Sequence, residues 1–362
     1  MDGRAFASPA GGVRRYVSEL YGALAAVAGG EDVEIVAIGA PGDATLPAGV
    51  ARRGALRFPT NLGWMAASLP LAVRGAGLDV FHAPAYTAPL WGVHPQALTI
   101  HDVSYERKPE WNAYRNDRVR RAFYRRAALA ADRIVTDSAF SRDEIAAAYG
   151  IAAEKIAVVP LAAATAFRPG GFDPSRAPAG VDQPYALHVG DLHVRRNLDT
   201  ALDAVLTLRK GGSPIRLVCA GVDRGIGASL LGKAAGDPGA LVLTGAIDEA
   251  ALVNLYRGAT LLVYPSMYEG FGLPVLEAMQ TGVPVVAARC ASVPEVGGDA
   301  AVLLDPLDAR AWRDAIGAAC QDEAMRSRLR EAGLARAAQF SWGRTAADTL
   351  AVLRQCAAKE RR

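Results

Sequence analysis

The sequence predicts an α/β protein built from two doubly wound parallel sheets, and three observations carry that expectation. Short apolar runs rich in Val, Ile and Leu alternate with longer stretches of helical period along all 362 residues. The runs are continuously apolar rather than alternating, which marks parallel strands covered on both faces. The rhythm is broken once, from Ala166 to Pro184, where prolines and glycines interrupt both periods and place a linker.

Taken in order, the first domain, residues 1–165, opens with SPAGGVRRYVSEL, where Gly11 and Gly12 stand before a helix that carries Val13, Tyr16, Val17 and Leu20 on one stripe. Strands follow at VEIVAI (33–38), LDVFHAP (78–84), ALTIHD (97–102), RIVTDS (133–138) and IAVVP (156–160). The second domain, residues 185–340, repeats the pattern with YALHVG (185–190), IRLVCAG (215–221), ALVLTG (240–245), TLLVYPS (260–266), VPVVAA (283–288) and AVLLDP (301–306). Residues 341–362 read as a final helix with Ser341 as its N-cap. Two such domains are expected to face one another across a crevice at the carboxyl ends of their strands, where open α/β sheets bind ligands.

Composition narrows the class. A formal charge of +3, with 51% hydrophobic and 21% charged residues, argues against disorder and against bulk attraction to nucleic acid. The small basic surplus lies in the first 170 residues. Cys219, Cys290, Cys320 and Cys356 are too widely spaced for a metal cluster or a dense disulfide framework, so a cytoplasmic setting is expected. The start lacks the apolar core of a secretory signal. The longest uncharged run, Phe81 to Ile100, contains Pro84, Pro89 and Pro95 and is not a spanning helix.

The strongest chemical signal follows TLLVYPS: Glu269-Gly270-Phe271-Gly272-Leu273-Pro274-Val275-Leu276-Glu277. Two glycines allow close backbone approach, and a proline suits the first helical turn. A helix start with unsatisfied N–H groups is a diphosphate site, so the amides around Gly272 to Leu276 are expected to hold an anionic leaving group. Glu277 would reach past the phosphates to ribose hydroxyls, with Glu269 near the transferred group; the competing reading makes both surface carboxylates stabilised by the helix dipole. After the first strand of the same domain, HVGDLHVRRN places Arg195 and Arg196 behind the strand-ending Gly190. Their guanidinium forks match phosphate oxygens, although two adjacent arginines alone read more readily as an ordinary exposed pair. No Asp-x-Asp triplet occurs, which weakens any metal-chelated nucleotide scheme.

EGFGLPVLEAM, the VG…RRN segment, TGVPVVAARCASVPEVGGDAAVLLDP, AGGVRRY, TIHDVSYERKPEW and TDSAFSRDEI together resemble the retaining glycosyltransferases of family 4, in order and over nearly the whole chain. The resemblance implies a GT-B fold of two Rossmann-like domains, a nucleotide-sugar donor on the C-terminal domain, an acceptor on the N-terminal domain, no metal and no cofactor beyond the donor as co-substrate. It also implies Glu277 as the ribose-binding carboxylate and Glu269 as the one near the donor sugar, with Gly270 to Leu273 lending amides. The same resemblance places the Gly11–Gly12 loop over the donor phosphates and His101 near the donor sugar. It implies a C-terminal helix that returns to the first domain. Arg196 stands where the family more often has lysine, and Asp191 where many relatives have arginine. Relatives begin with a strand whose end coincides with Met1, so the first sheet is expected to lack that strand.

The segment from Trp111 to Arg126 carries six arginines and one acid among aromatics. It suits an anionic membrane surface or a lipid-linked diphosphate acceptor, or else a solvated helix face. Three rivals remain: CAGVDRGIG has the glycine pattern of short-chain dehydrogenases but no following Tyr-x-x-x-Lys; an epimerase or phosphorylase would keep the fold; a catalytically silent sugar-nucleotide binder would keep the site. The expectation is a cytoplasmic retaining hexosyltransferase, using GDP-mannose or a UDP-hexose and a glycan or lipid-linked acceptor.

Overall fold

The computed structural model describes residues 1–8, 11–29, 33–56, 58, 60–108, 111 and 117–359. The chain forms two compact units, Met1–Leu161 with Ser341–Arg362, and Ala162–Phe340.

The second unit is one six-stranded sheet of β7 (Tyr185–Val189), β8 (Arg216–Ala220), β9 (Leu241–Gly245), β10 (Leu261–Tyr264), β11 (Val285–Ala288) and β12 (Val302–Leu304). Their order is β12-β11-β10-β7-β8-β9, with every pair parallel. The chain runs outward from β7 to β9 and then restarts at β10 beside β7. That reversal is a topological switch point, the place where open α/β sheets bind ligands. Leu261 and Val263 of β10 join a core with Leu217, Val286 and the helix residues Leu198, Leu202, Trp312 and Ile316. Strand alternation therefore turns Leu262 and Tyr264 to the opposite face.

Residues 166–184, expected as the linker between the domains, pack into this unit. Phe167 is buried edge-on to Tyr256, and Phe172 meets Tyr185. Asn254 exchanges hydrogen bonds with the backbone of Asp173, 2.9 Å each way. The prolines break regular structure without freeing the segment, because its aromatic side chains find apolar partners.

In the first unit β3 (Phe81–Ala83), β4 (Gln96–Thr99), β5 (Arg133–Thr136) and β6 (Ile156–Val158) form a parallel sheet in that order. A separate parallel pair joins β1 (Ile35–Ile38) to β2 (Val50–Arg53). Met1 and Asp2 connect the two: Asp2 bridges Ile38 in parallel and its N–H donates to the His82 carbonyl at 3.3 Å. The helix Gly11–Ala28 buries Tyr16, Val17 and Leu20 of the predicted stripe, with Leu24 a turn further on, while Val13 is only half-buried. Gly11 and Gly12 are its first turn rather than a loop before it.

The last helix, Trp342–Lys359, belongs to this unit. Ser341 accepts from the Arg344 N–H at 3.2 Å, Thr345 donates to the Pro160 carbonyl at 2.7 Å, and Val352 packs on Val135 and Val159. Among the described residues no helix is long and apolar enough to cross a membrane.

Candidate functional site

At the end of β7 the chain turns through Gly190, at φ +132, into the short helical turn Val194–Arg196. A Cβ on Gly190 would lie 3.0 Å from Nη2 of Arg196, so glycine lets that guanidinium lie across the strand end. From the other side of the switch point, β10 delivers Tyr264, Ser266 and Glu269. Arg196 Nη1 donates to the Tyr264 hydroxyl at 2.7 Å, to Ser266 Oγ at 3.3 Å and to Oε1 of Glu269. Arg196 is 8% exposed and Glu269 7%, so the pair is desolvated and mutually neutralising. Burial lowers the pKa of Arg196, with the Tyr264 phenol opposing, yet guanidinium basicity leaves it charged.

Arg195 is held to the same loop. Its carbonyl accepts from the Met267 N–H at 2.9 Å and its Nη1 donates to the Tyr268 carbonyl at 3.3 Å. The loop then passes Gly270 and Phe271 to Gly272, whose φ of +107 starts the helix Leu273–Thr281 with Pro274 in its first turn. Ser292 fixes the loop from below, its hydroxyl 2.9 Å from the Glu269 carbonyl and 2.8 Å from that of Phe271.

The N–H groups of Gly272 and Leu273 have no acceptor among the described residues. The expectation of free amides as far as Leu276 is corrected: Val275 and Leu276 both donate to the Gly272 carbonyl, at 3.0 and 3.5 Å, and their side chains are buried. Helical closure of the first turn takes those two donors. Glu277, 3% exposed, accepts from the Tyr256 hydroxyl at 2.8 Å, so its carboxylate is oriented by a phenol and is not a surface helix-start charge.

Gly190, Arg195, Arg196, Glu269, Gly270, Phe271, Gly272, Leu273, Val275, Leu276 and Glu277 thus gather at the ends of β7 and β10. Sequence reasoning missed Tyr256, Tyr264 and Ser292, none of which carries a motif of its own. It also missed Arg224, which pairs with Asp191 at 2.8 Å and brings a cation back beside a position where one was expected to be lost. The dehydrogenase-like glycine loop is closed by its own side chain: Asp223 Oδ1 accepts from the N–H groups of Gly225, Ile226 and Gly227 at 2.9 to 3.0 Å. Those amides are not offered to a dinucleotide. Among the described residues no group of three His, Cys, Asp or Glu side chains could hold a metal ion.

In the first unit, His101 ends the strand run and its Nδ1 lies 2.8 Å from Oδ2 of the buried Asp137. Burial raises the pKa of Asp137 while the imidazole opposes it. Tyr16, one turn into the helix that begins at Gly11 and Gly12, meets the His101 ring edge-on at 4.6 Å. A carboxylate behind an imidazole fixes its tautomer and orientation. Of the basic aromatic segment, residues 112–116 lie outside the described residues. The helix Arg118–Ala130 exposes Arg118, Arg120, Arg125 and Arg126 together with Val119 and Leu129.

Residues 172–336 match the family described as glycosyl transferases group 1, and residues 10–167 match glycosyltransferase family 4. The O-antigen chain mannosyltransferase B of Escherichia coli is 33% identical over 290 residues, covering 75% of this chain and 73% of that one. A D-inositol 3-phosphate glycosyltransferase of Acidothermus cellulolyticus is 33% identical over 247 residues, 64% of this chain and 55% of its own length. Among solved structures, the sucrose-phosphate synthase of Thermosynechococcus elongatus superposes with a TM-score of 0.71 at 21% identity, over 96% of this chain and 94% of that one.

Proposed function

The chain belongs to the family 4 glycosyltransferases of GT-B fold, and on that premise we propose that it moves a hexosyl group from a nucleoside diphosphate sugar to an acceptor hydroxyl with retention of configuration. The observation that carries this reading is the cluster at the switch point, where two free amides, two arginines and two buried glutamates converge. The donor is GDP-mannose or a UDP-hexose, supported for mannose by the Escherichia coli relative. The acceptor is a hydroxyl of a glycan or a lipid-linked saccharide.

The diphosphate sits on the amides of Gly272 and Leu273 at the positive end of the helix Leu273–Thr281, with Arg195 and Arg196 as its counter-charge. Glu277, steadied by Tyr256, takes the ribose hydroxyls, and Glu269 lies beside the sugar. The bond from the anomeric carbon to the phosphate oxygen breaks with its electron pair on the diphosphate. A new bond forms to the acceptor oxygen, whose proton goes to the released diphosphate. Fixed donors aimed at the developing charge lower this barrier by a few kcal/mol each, on the order measured for oxyanion-hole groups. On this reading the guanidinium groups do the work of a divalent ion, and no cofactor is required. His101, oriented by Asp137, is suited to a hydrogen bond with a sugar hydroxyl.

The exposed arginines of Arg118–Ala130 support a peripheral contact with an anionic, cytoplasmic membrane face, where a lipid-linked acceptor would lie. A thermal-shift screen of GDP, UDP and ADP, followed by hydrolysis of the matching sugar nucleotides, tests the central reading. Stabilisation by one diphosphate and turnover of its sugar are expected; no stabilisation by any of them would overturn it.

A further inference from the structure

We propose that Tyr264 is a positioning residue for departure of the diphosphate, clamping one nitrogen of Arg196 so that the other stays available to the leaving group. The inference rests on the donor-site reading above. It begins from an asymmetry in the guanidinium. Among the described residues Nη1 carries every side-chain hydrogen bond that Arg196 makes: Tyr264 at 2.7 Å, Ser266 at 3.3 Å and Glu269. Nη2, on the Gly190 side, makes none among the described residues.

The planar fork therefore does two tasks at once. One arm neutralises Glu269 and the other is held open beside the strand-ending glycine. A lysine ammonium is a single point and could not divide itself in this way.

Tyr264 is built to resist movement. Its ring is fully buried, stacks on His188 with centroids 5.8 Å apart and planes at 19°, and lies 5.6 Å from the Arg196 guanidinium carbon. His188 is buried and its pKa is pushed down to about 3, first by desolvation and then by the charge of Arg196, so its imidazole is neutral at working pH. Its Nδ1 lies 3.3 Å from the Val263 carbonyl, which anchors the ring to β10 itself. Without the phenol oxygen the guanidinium is free to rotate and grip Glu269 with both arms, as carboxylates favour. Nη2 would then be withdrawn from the diphosphate. The loss falls mainly on the transition state and on the released product, where the diphosphate carries its full charge.

Four proteins decide the matter: wild type, Y264F, R196K and the double variant. Y264F keeps the ring and its stack. With wild-type Arg196, kcat should fall about tenfold or more, the scale of one hydrogen bond to a charged group, while the donor KM moves much less. In the R196K background the same change should have almost no further effect. S266A, which loosens the same nitrogen without touching the ring, should lower kcat in the same direction and guards against a folding defect in Y264F. An unchanged kcat in Y264F, or an equal fall in both backgrounds, overturns the proposal. If wild type turns over no sugar nucleotide, the functional reading fails. Titration of the same four proteins with inorganic pyrophosphate then still judges Tyr264: weakening by Y264F only when Arg196 is present supports it, and additive or absent weakening overturns it.

Discussion

At the scale of single residues the two glutamates of the 269–277 segment differ in what buries them, and their variants should differ accordingly. Glu277 is held by a neutral phenol, so Glu277→Gln keeps a partner for Tyr256 while removing the charge that would bind two hydroxyls. Its nucleoside diphosphate affinity should fall by about tenfold in calorimetry, the scale of a charged hydrogen bond lost. Affinity equal to wild type would remove the ribose assignment. Glu269 is held by a cation, so Glu269→Gln releases Arg196 from its counter-charge. Turnover should drop by about a hundredfold, within the range for positioned acid–base or electrostatic groups, with nucleotide affinity kept or improved. A parallel loss of affinity would show that Glu269 serves binding instead. Both carboxylates were legible from their spacing in sequence. Tyr256, Tyr264, Ser292 and Asp137 were not, because each matters through what lies 2.7 to 2.9 Å from it.

At the scale of elements, the helix Leu273–Thr281 starts from a backbone that only glycine adopts without strain. Gly272 has φ +107, and a Cβ there would meet nothing nearer than Val293 at 3.9 Å, so the cost of Gly272→Ala is conformational rather than steric. The substitution should lower stability by about 1–2 kcal/mol and weaken diphosphate binding, because the helix start rotates its free amides away. Chemical denaturation read beside a GDP or UDP titration checks both effects. The helix Arg118–Ala130 is capped by Asp117, which accepts from Val119 and Arg120, and it keeps four arginines in solvent. Each should add roughly 1 kcal/mol of attraction to an anionic surface. Sedimentation with vesicles containing anionic lipid should be lost when Arg118 and Arg125 are both changed to alanine; equal sedimentation with neutral vesicles would remove the membrane contact. Strand β2, Val50–Arg53, escaped the sequence reading because it is a short edge strand whose last three residues are exposed. Without a covered face, nothing forces an apolar run.

At the scale of the molecule, each unit hides a neutral histidine that ties its stability to pH. His82, between the Tyr21 and Thr99 hydroxyls, and His188, beneath Tyr264, both have pKa values pushed down to about 3, chiefly by burial, from an ordinary 6.5. Between those values the unfolded chain binds the extra proton, so stability rises with pH and is lost as pH falls from 6.5 toward 3. Each contributes up to about 1.4 kcal/mol per pH unit across that window. His188→Gln should flatten the acid limb of the second unit's unfolding, and a limb as steep as wild type would exclude His188 as its cause. Sequence alone determined the alternation of eleven strands with helices, the family, and the segment for which diphosphate binding is proposed. Those properties follow from local periodicity, backbone freedom at glycine and the kinds of side chain placed in a row. Tertiary structure decided which amides stay free, that residues 166–184 join the second unit, and that Arg196 is shared between Glu269 and an open arm. Such features depend on distances between residues some seventy positions apart, and only folding the sheet at the β7–β10 switch point brings them within reach.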